Sequence, residues 1–226
     1  LQLPIQALEA RIEQEMDENP LLECQEPDPS TPDEPVEREK PDDPTDSERE
    51  LASMALQMHC GSNLRVLVGG LGLGYTAREE LLTGRVARVE VLELLPQVMD
   101  WLARGLVPLS SELNNQQRLV ITQGDIYRRL EGPVDKLFDV ILIDVDHSPD
   151  ERLDDKSHGF YTTEGLMAAR RHLAAGGVLA IWSYAESSPF ADALHSVFEQ
   201  VDVKPVTYDN HLIDEQLTDW LFFARG

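Results

Sequence analysis

Cysteine is almost missing from this chain: Cys24 and Cys60 are two among 226 residues, in unlike segments, without the spacing of a metal site or a disulfide framework. Both read as reduced and incidental. Basic residues are scarce too, with 19 Lys+Arg against 42 Asp+Glu and a net charge of −23. So acidic a chain repels phosphate backbones and anionic lipid, which makes nucleic acid and membrane surfaces poor partners and a small cationic amine a plausible one. No run approaches the roughly 18 apolar residues of a membrane span, and the start lacks a basic-then-apolar signal pattern. A soluble, cytoplasmic protein is expected. No internal repeat is present.

The charge is unevenly spread. Residues 1–50 carry 17 Asp+Glu against 4 Lys+Arg, and the other 176 residues carry 25 against 15. Within the first stretch, Ile5, Leu8, Ile12 and Met16 recur at three- and four-residue steps, the spacing of one face of a short helix ending near Asn19-Pro20. The wording Leu1-Gln2-Leu3, followed by Asp17-Glu18-Asn19-Pro20-Leu21-Leu22-Glu23, resembles the N-terminal region of the enhancer-dependent, sigma-N class bacterial sigma factor. In that family the region contacts RNA polymerase and the activating ATPase, so residues 1–23 are expected to be a sigma-like helical segment. The rest of such a factor has no counterpart here. From Cys24 to Thr45 the chain is rich in proline and acid, as in Glu26-Pro27-Asp28-Pro29 and Lys40-Pro41-Asp42-Asp43-Pro44. Burial cannot offset its ordering entropy, so 24–45 is expected to be a disordered linker.

A folded unit is expected over 46–226. Ser47-Glu48-Arg49-Glu50 fits a capping box, and Leu51, Met54, Ala55 and Met58 follow at helical spacing. The apolar run Leu64–Val68 then leads into Gly69-Gly70-Leu71-Gly72-Leu73-Gly74 and a helix-forming stretch from Tyr75 to Leu82. This is strand, glycine turn, helix. Glycines at 70, 72 and 74 permit positive φ and close approach of the backbone to a ligand. A second strand, Arg88–Leu92, closes with Glu93 about twenty residues beyond the glycines, where an acid can hold both ribose hydroxyls. A third strand over Arg118–Thr122 precedes Gly124-Asp125-Ile126, at the place where such folds contact adenine. Phe138–Ile143 reads as a buried fourth strand that delivers Asp144 and Asp146 at its carboxyl end. Each acid alone is better read as a cap or a solvated side chain; three at successive strand ends, Glu93, Asp125 and Asp144, point to one crevice.

The alternation continues with a helix over Thr163–Leu173, a turn at Gly176-Gly177, a strand over Val178–Trp182, a helix near Pro189–Gln200 and two terminal β runs, Val201–Tyr208 and Trp220–Ala224. The expected fold is α/β and Rossmann-like: a mostly parallel seven-stranded sheet with helices on both faces and an antiparallel C-terminal strand, the arrangement of methyltransferase-type folds.

Val66–Glu79, Val91-Leu92-Glu93, Gly124-Asp125, Asp139–Asp144, Phe160-Tyr161 and Gly176–Leu179 occur in the order and spacing of the spermidine synthase family, over about 180 residues. The resemblance implies a nucleoside-binding domain that moves an aminopropyl group from decarboxylated S-adenosylmethionine to a small-molecule amine, without a metal, and is compatible with a homodimer. By position, Glu93 would bind ribose and Asp125 the adenine amino group. Asp144 would orient and deprotonate the attacking amine, with Asp146 in reserve, and Tyr161 would line the amine pocket. Read from the residues alone, Tyr161 and Trp182 are equally well taken as core aromatics, and His147, whose ordinary pKa is about 6.5, could serve as a base but in an exposed loop is more often solvated. Three departures stand out. Leu73 replaces an Asp that contacts the donor's ammonium group. The family's Asp-Ser-x-Asp-Pro loop reads Asp144-Val145-Asp146-His147-Ser148-Pro149, with Trp182 in place of a pocket Gln further on. The likeness starts only near Asp46, with the sigma-like segment and linker where the family has an N-terminal β-sheet domain. Leu73 leaves open the alternative of a methyltransferase using intact S-adenosylmethionine. A non-catalytic protein that binds transcription machinery through residues 1–23 is a third reading, and a fusion scar without function explains that segment equally well.

Overall fold

The computed structural model describes residues 46–145, 148–150, 159–210 and 215–226. The expected helical segment over 1–23, the linker, Asp146 and His147 lie outside the described residues.

Among the described residues, fourteen elements run in the order α1 (Asp46–Met58), β1 (Leu64–Gly69), α2 (Tyr75–Leu82), β2 (Val86–Glu93), α3 (Pro96–Ala103), α4 (Ser110–Leu113), β3 (Leu119–Gln123), α5 (Ile126–Glu131), β4 (Phe138–Ile143), α6 (Thr163–Arg170), β5 (Leu173–Ser183), α7 (Ser188–Val197), β6 (Gln200–Asn210) and β7 (Glu215–Arg225). The strands form one seven-stranded sheet in the order β3-β2-β1-β4-β5-β7-β6. Strands β1 to β5 pair in parallel, while β7 runs antiparallel to both β5 and β6. This is the expected Rossmann-like architecture. The chain winds outward from β1 to β3, then crosses back to lay β4 against the other side of β1. That reversal opens the crevice in which open α/β sheets bind ligands.

The unbroken apolar run of β4 follows from burial on both faces. Val140 and Leu142 join one core with α1, α2 and α3, whereas Ile141 and Ile143 join the other with α5, α6 and α7. Successive side chains of a strand point to opposite faces, so each layer takes every second residue.

Several boundaries differ from the sequence reading. Ser47, expected as a helix cap, lies inside α1 and is buried, and its hydroxyl accepts a 3.0 Å bond from the Trp182 indole. The Gly176-Gly177 turn is an irregularity within β5: the register against β4 jumps between the Phe138 and Val140 pairs, and Gly176 takes φ 70°. A bulge admits such extra residues without ending the strand. The helix expected to reach Leu173 therefore stops at Arg170, where β5 already needs Leu173 opposite Phe138. Helices α3, α4 and α5 are not among the expected elements; α4 and α5, at four and six residues, are too short to show a clear period in the sequence.

Candidate functional site: a crevice at the carboxyl edge of the sheet

Gly70 continues β1 past its last paired residue with φ 97°. A Cβ at this position would lie 1.9 Å from the Asp144 carbonyl oxygen, so only glycine lets the ends of β1 and β4 come together. The Asp144 amide completes the junction with a 2.8 Å bond to the Gly69 carbonyl. Gly74, at φ 94°, backs against Leu113 of α4, where a Cβ would meet a side-chain carbon at 2.4 Å. Gly72 differs: at φ 50° its missing Cβ would point into open space. The three glycines thus serve strand approach, helix packing and an unobstructed surface.

The register sets the acids in a row. Gly69 pairs with Leu92 on one side and Ile143 on the other, so Glu93 and Asp144 both stand one residue beyond it and flank the glycine turn. Glu93 in turn pairs with Gln123, which puts Asp125 two residues further along the same edge.

Each acid also has work in the protein itself. Glu93, only 6% exposed, accepts the Leu71 amide on Oε2 at 2.7 Å and the Leu95 amide on Oε1 at 2.8 Å. A carboxylate offers about four lone-pair sites, so sugar hydroxyls would share Glu93 with these two amides. Asp125 caps α5, its Oδ1 accepting the Tyr127 amide at 2.9 Å and the Arg128 amide at 3.3 Å, while Oδ2 lies 3.4 Å from the Arg128 guanidinium. At the end of β4, half-buried Asp144 accepts a hydrogen bond on Oδ2 from the Thr76 hydroxyl of α2.

The remaining site candidates turn inward. The Ile126 side chain is 4% exposed and packs on Gly69, so any contact with a base would come from its main chain. Tyr161 is buried, its hydroxyl 2.9 Å from that of Tyr127, with Phe160 and Phe190 edge-on at 5.0 Å. Burial pushes its phenol well above the ordinary value, against a smaller opposing effect of the Tyr127 hydrogen bond, so it stays neutral and is no base at physiological pH. Trp182 donates from its indole nitrogen to Ser47 and, at 3.2 Å, to Asp219, tying α1, β5 and β7 together. Leu73 is 3% exposed and belongs to the core rather than the crevice wall.

Two residues of this edge escaped the sequence reading. Leu94, directly after Glu93, is 57% exposed, an apolar surface beside the sugar-binding candidate. The signal was available: a leucine at a strand's carboxyl end, outside the alternation of β2. Thr76 carried no such signal, because a threonine in the first turn of a helix has many ordinary uses. Among the described residues no group of three or more His, Cys, Asp or Glu could hold a metal ion, and no helix is long and apolar enough to cross a membrane.

The fold is that of Rossmann-like methyltransferases and spermidine synthases. It superposes on spermidine synthase from Thermotoga maritima with a TM-score of 0.63 at 19% identity, over 81% of this chain and 59% of that one. Human methyltransferase-like protein 13 in complex with SAH gives a TM-score of 0.58 at 16% identity, over 77% of this chain and 80% of that one. In sequence the chain resembles polyamine aminopropyltransferase 2 of Streptomyces coelicolor, with 36% identity over 124 residues, 54% of this chain. It spans only 22% of that curated relative's length. Residues 1–24 match the family model of the sigma-54 factor activator interacting domain, in agreement with the sigma-like wording of that segment.

Proposed function

We propose that residues 46–226 form a transferase that moves an aminopropyl group from decarboxylated S-adenosylmethionine to a small amine. The observation that carries this reading is the position of Asp144, at the end of β4 beside the glycine turn and in the row of acids that includes Glu93. Likeness to an aminopropyltransferase over about half the chain supports the choice of group transferred. An alkylammonium must lose a proton before it can attack. Asp144 accepts that proton; the freed lone pair attacks the carbon beside the sulfonium; the carbon–sulfur bond breaks and its electron pair leaves on sulfur as a neutral thioether. Glu93 holds the ribose, Asp125 the adenine amino group, and Gly72 leaves the backbone open to the donor. The net charge of −23 draws a cationic acceptor toward the crevice.

Asp144→Asn keeps size and a hydrogen-bonding group but cannot take the proton at neutral pH. Turnover should fall by roughly a hundredfold or more while calorimetric binding of methylthioadenosine persists. A fully active variant would move the base elsewhere, with Asp146 next in line, and a wild-type protein that transfers no aminopropyl group to any diamine would sink the reading.

Methyl transfer from intact S-adenosylmethionine is the second reading. It is favoured by Leu73, which brings no acid to the turn. Calorimetry with the two donors separates these readings. Residues 1–24, through their match to an activator interacting domain, support contact with transcription machinery as an additional role. A pull-down of RNA polymerase or an activating ATPase by residues 1–23 tests it.

A further inference from the structure

Asp144 is held in more than one way. Its amide donates to Gly69, its carbonyl sits against Gly70, and its carboxylate Oδ2 accepts from the Thr76 hydroxyl. Thr76 is the second residue of α2, whose start is set by the left-handed Gly74, and it is 3% exposed. A threonine is stiff at χ1, and packing on this buried face leaves its hydroxyl little freedom. The terminal torsion of an aspartate, by contrast, is broad and settles only when something holds the carboxylate.

We infer that Thr76 is a positioning residue for Asp144: its hydroxyl fixes the plane of the carboxylate that meets the acceptor amine. The inference rests on the transfer reading above for its consequence but not for its geometry. Thr76 gives up no proton in the reaction. Its hydrogen stays on the threonine oxygen, hydrogen-bonded to Oδ2, and the proton leaving the amine arrives on another lone pair of the same carboxylate. Two effects follow when the hydroxyl is removed. The carboxylate loses this restraint on its orientation, which costs rate rather than donor affinity. It also loses a hydrogen bond that favours its ionised form, so it holds a proton to higher pH. The other described charged groups of this edge have contacts that do not involve Thr76: Glu93 with its two amides and Asp125 with Arg128.

The test compares Thr76→Val, which keeps shape and removes the hydroxyl, with Thr76→Ser, which keeps the hydroxyl and removes a methyl. With the full chain and a diamine acceptor, Thr76→Val should lower kcat about tenfold or more, leave the donor KM unchanged, and move the acid limb of the pH profile to higher pH. Thr76→Ser should restore both. Carbon-detected NMR of the Asp side chains, with Asp144 assigned through Asp144→Asn, reads the same rise of the Asp144 midpoint without any turnover. An unchanged midpoint in Thr76→Val overturns the inference, as does a Thr76→Ser variant that behaves like Thr76→Val. A raised midpoint in a protein that transfers nothing upholds the positioning contact and rejects the transfer reading instead.

Discussion

Glu80 should make this domain less stable than it need be, increasingly so as pH rises. It lies on the buried face of α2 with Thr76, Ala77 and Leu81, fully shielded from solvent, and neither carboxyl oxygen has a hydrogen-bond partner among the described residues. Burial pushes its pKa well above the ordinary carboxylate range; the negative charge of Glu79 adds to this, and Arg85 opposes it. In the unfolded chain the group titrates near the ordinary value of about 4.3. Between that value and the folded one the native state binds the extra proton, so stability falls with rising pH at up to about 1.4 kcal/mol per unit, and levels off only above the folded value. Below the unfolded value the charge penalty vanishes, leaving the cost of a buried neutral carboxyl without a partner, about 1–3 kcal/mol. Glu80→Met replaces it with an apolar chain of similar reach. At pH 7 the variant should gain about 2 kcal/mol or more, which for a domain of this size raises Tm by roughly 4–8 °C. Glu80→Gln should keep the polar cost but lose the pH dependence. Urea unfolding of the three proteins from pH 5 to pH 8 measures both effects, since titrations shared by all three cancel in the differences. The reasoning fails if Glu80→Met is less stable than wild type at pH 7, or if its advantage is the same at pH 5 and pH 7.

The glycine turn and its neighbour provide two further tests. Gly70→Ala should cost more than about 3 kcal/mol, because it combines a left-handed φ with a collision against the Asp144 carbonyl, while Gly72→Ala, facing open space, should cost only about 1–2 kcal/mol in chemical denaturation and still weaken methylthioadenosine binding. Equal losses of stability would contradict the separate roles assigned to these glycines. Glu93→Ala should weaken methylthioadenosine by about 1.5–3 kcal/mol in calorimetry and also lower the melting temperature, because the Leu71 and Leu95 amides lose their acceptor. Unchanged affinity would reject the ribose contact, and an unchanged melting temperature would reject the part Glu93 plays in holding the turn through these two amides.

Much of the candidate site was legible one residue at a time. The glycine spacing, the apolar run of β4 and the acids after three successive strands are local patterns. Each records a demand made within a few residues: a positive φ, burial on both faces, or a side chain delivered where a strand ends. Direction was harder to read than position. Leu73, Ile126, Tyr161 and Trp182 stand where expected along the chain, yet their side chains enter the cores or a polar tie between elements. Which way such a residue turns depends on what packs against it, and those partners come from distant parts of the chain.

By itself, then, the sequence determined the alternation of strands and helices, the glycine turn, the order of the acids and the antiparallel ending, since periodicity and turn chemistry act over short spans. Only the tertiary structure decided that β7 enters between β5 and β6, that Glu93 clips the turn from within, that Thr76 reaches Asp144 across 68 positions of sequence, and that Glu80 is sealed away. Strand pairing uses backbone groups that every residue shares, and burial belongs to the surfaces that meet, so neither is written in any single segment.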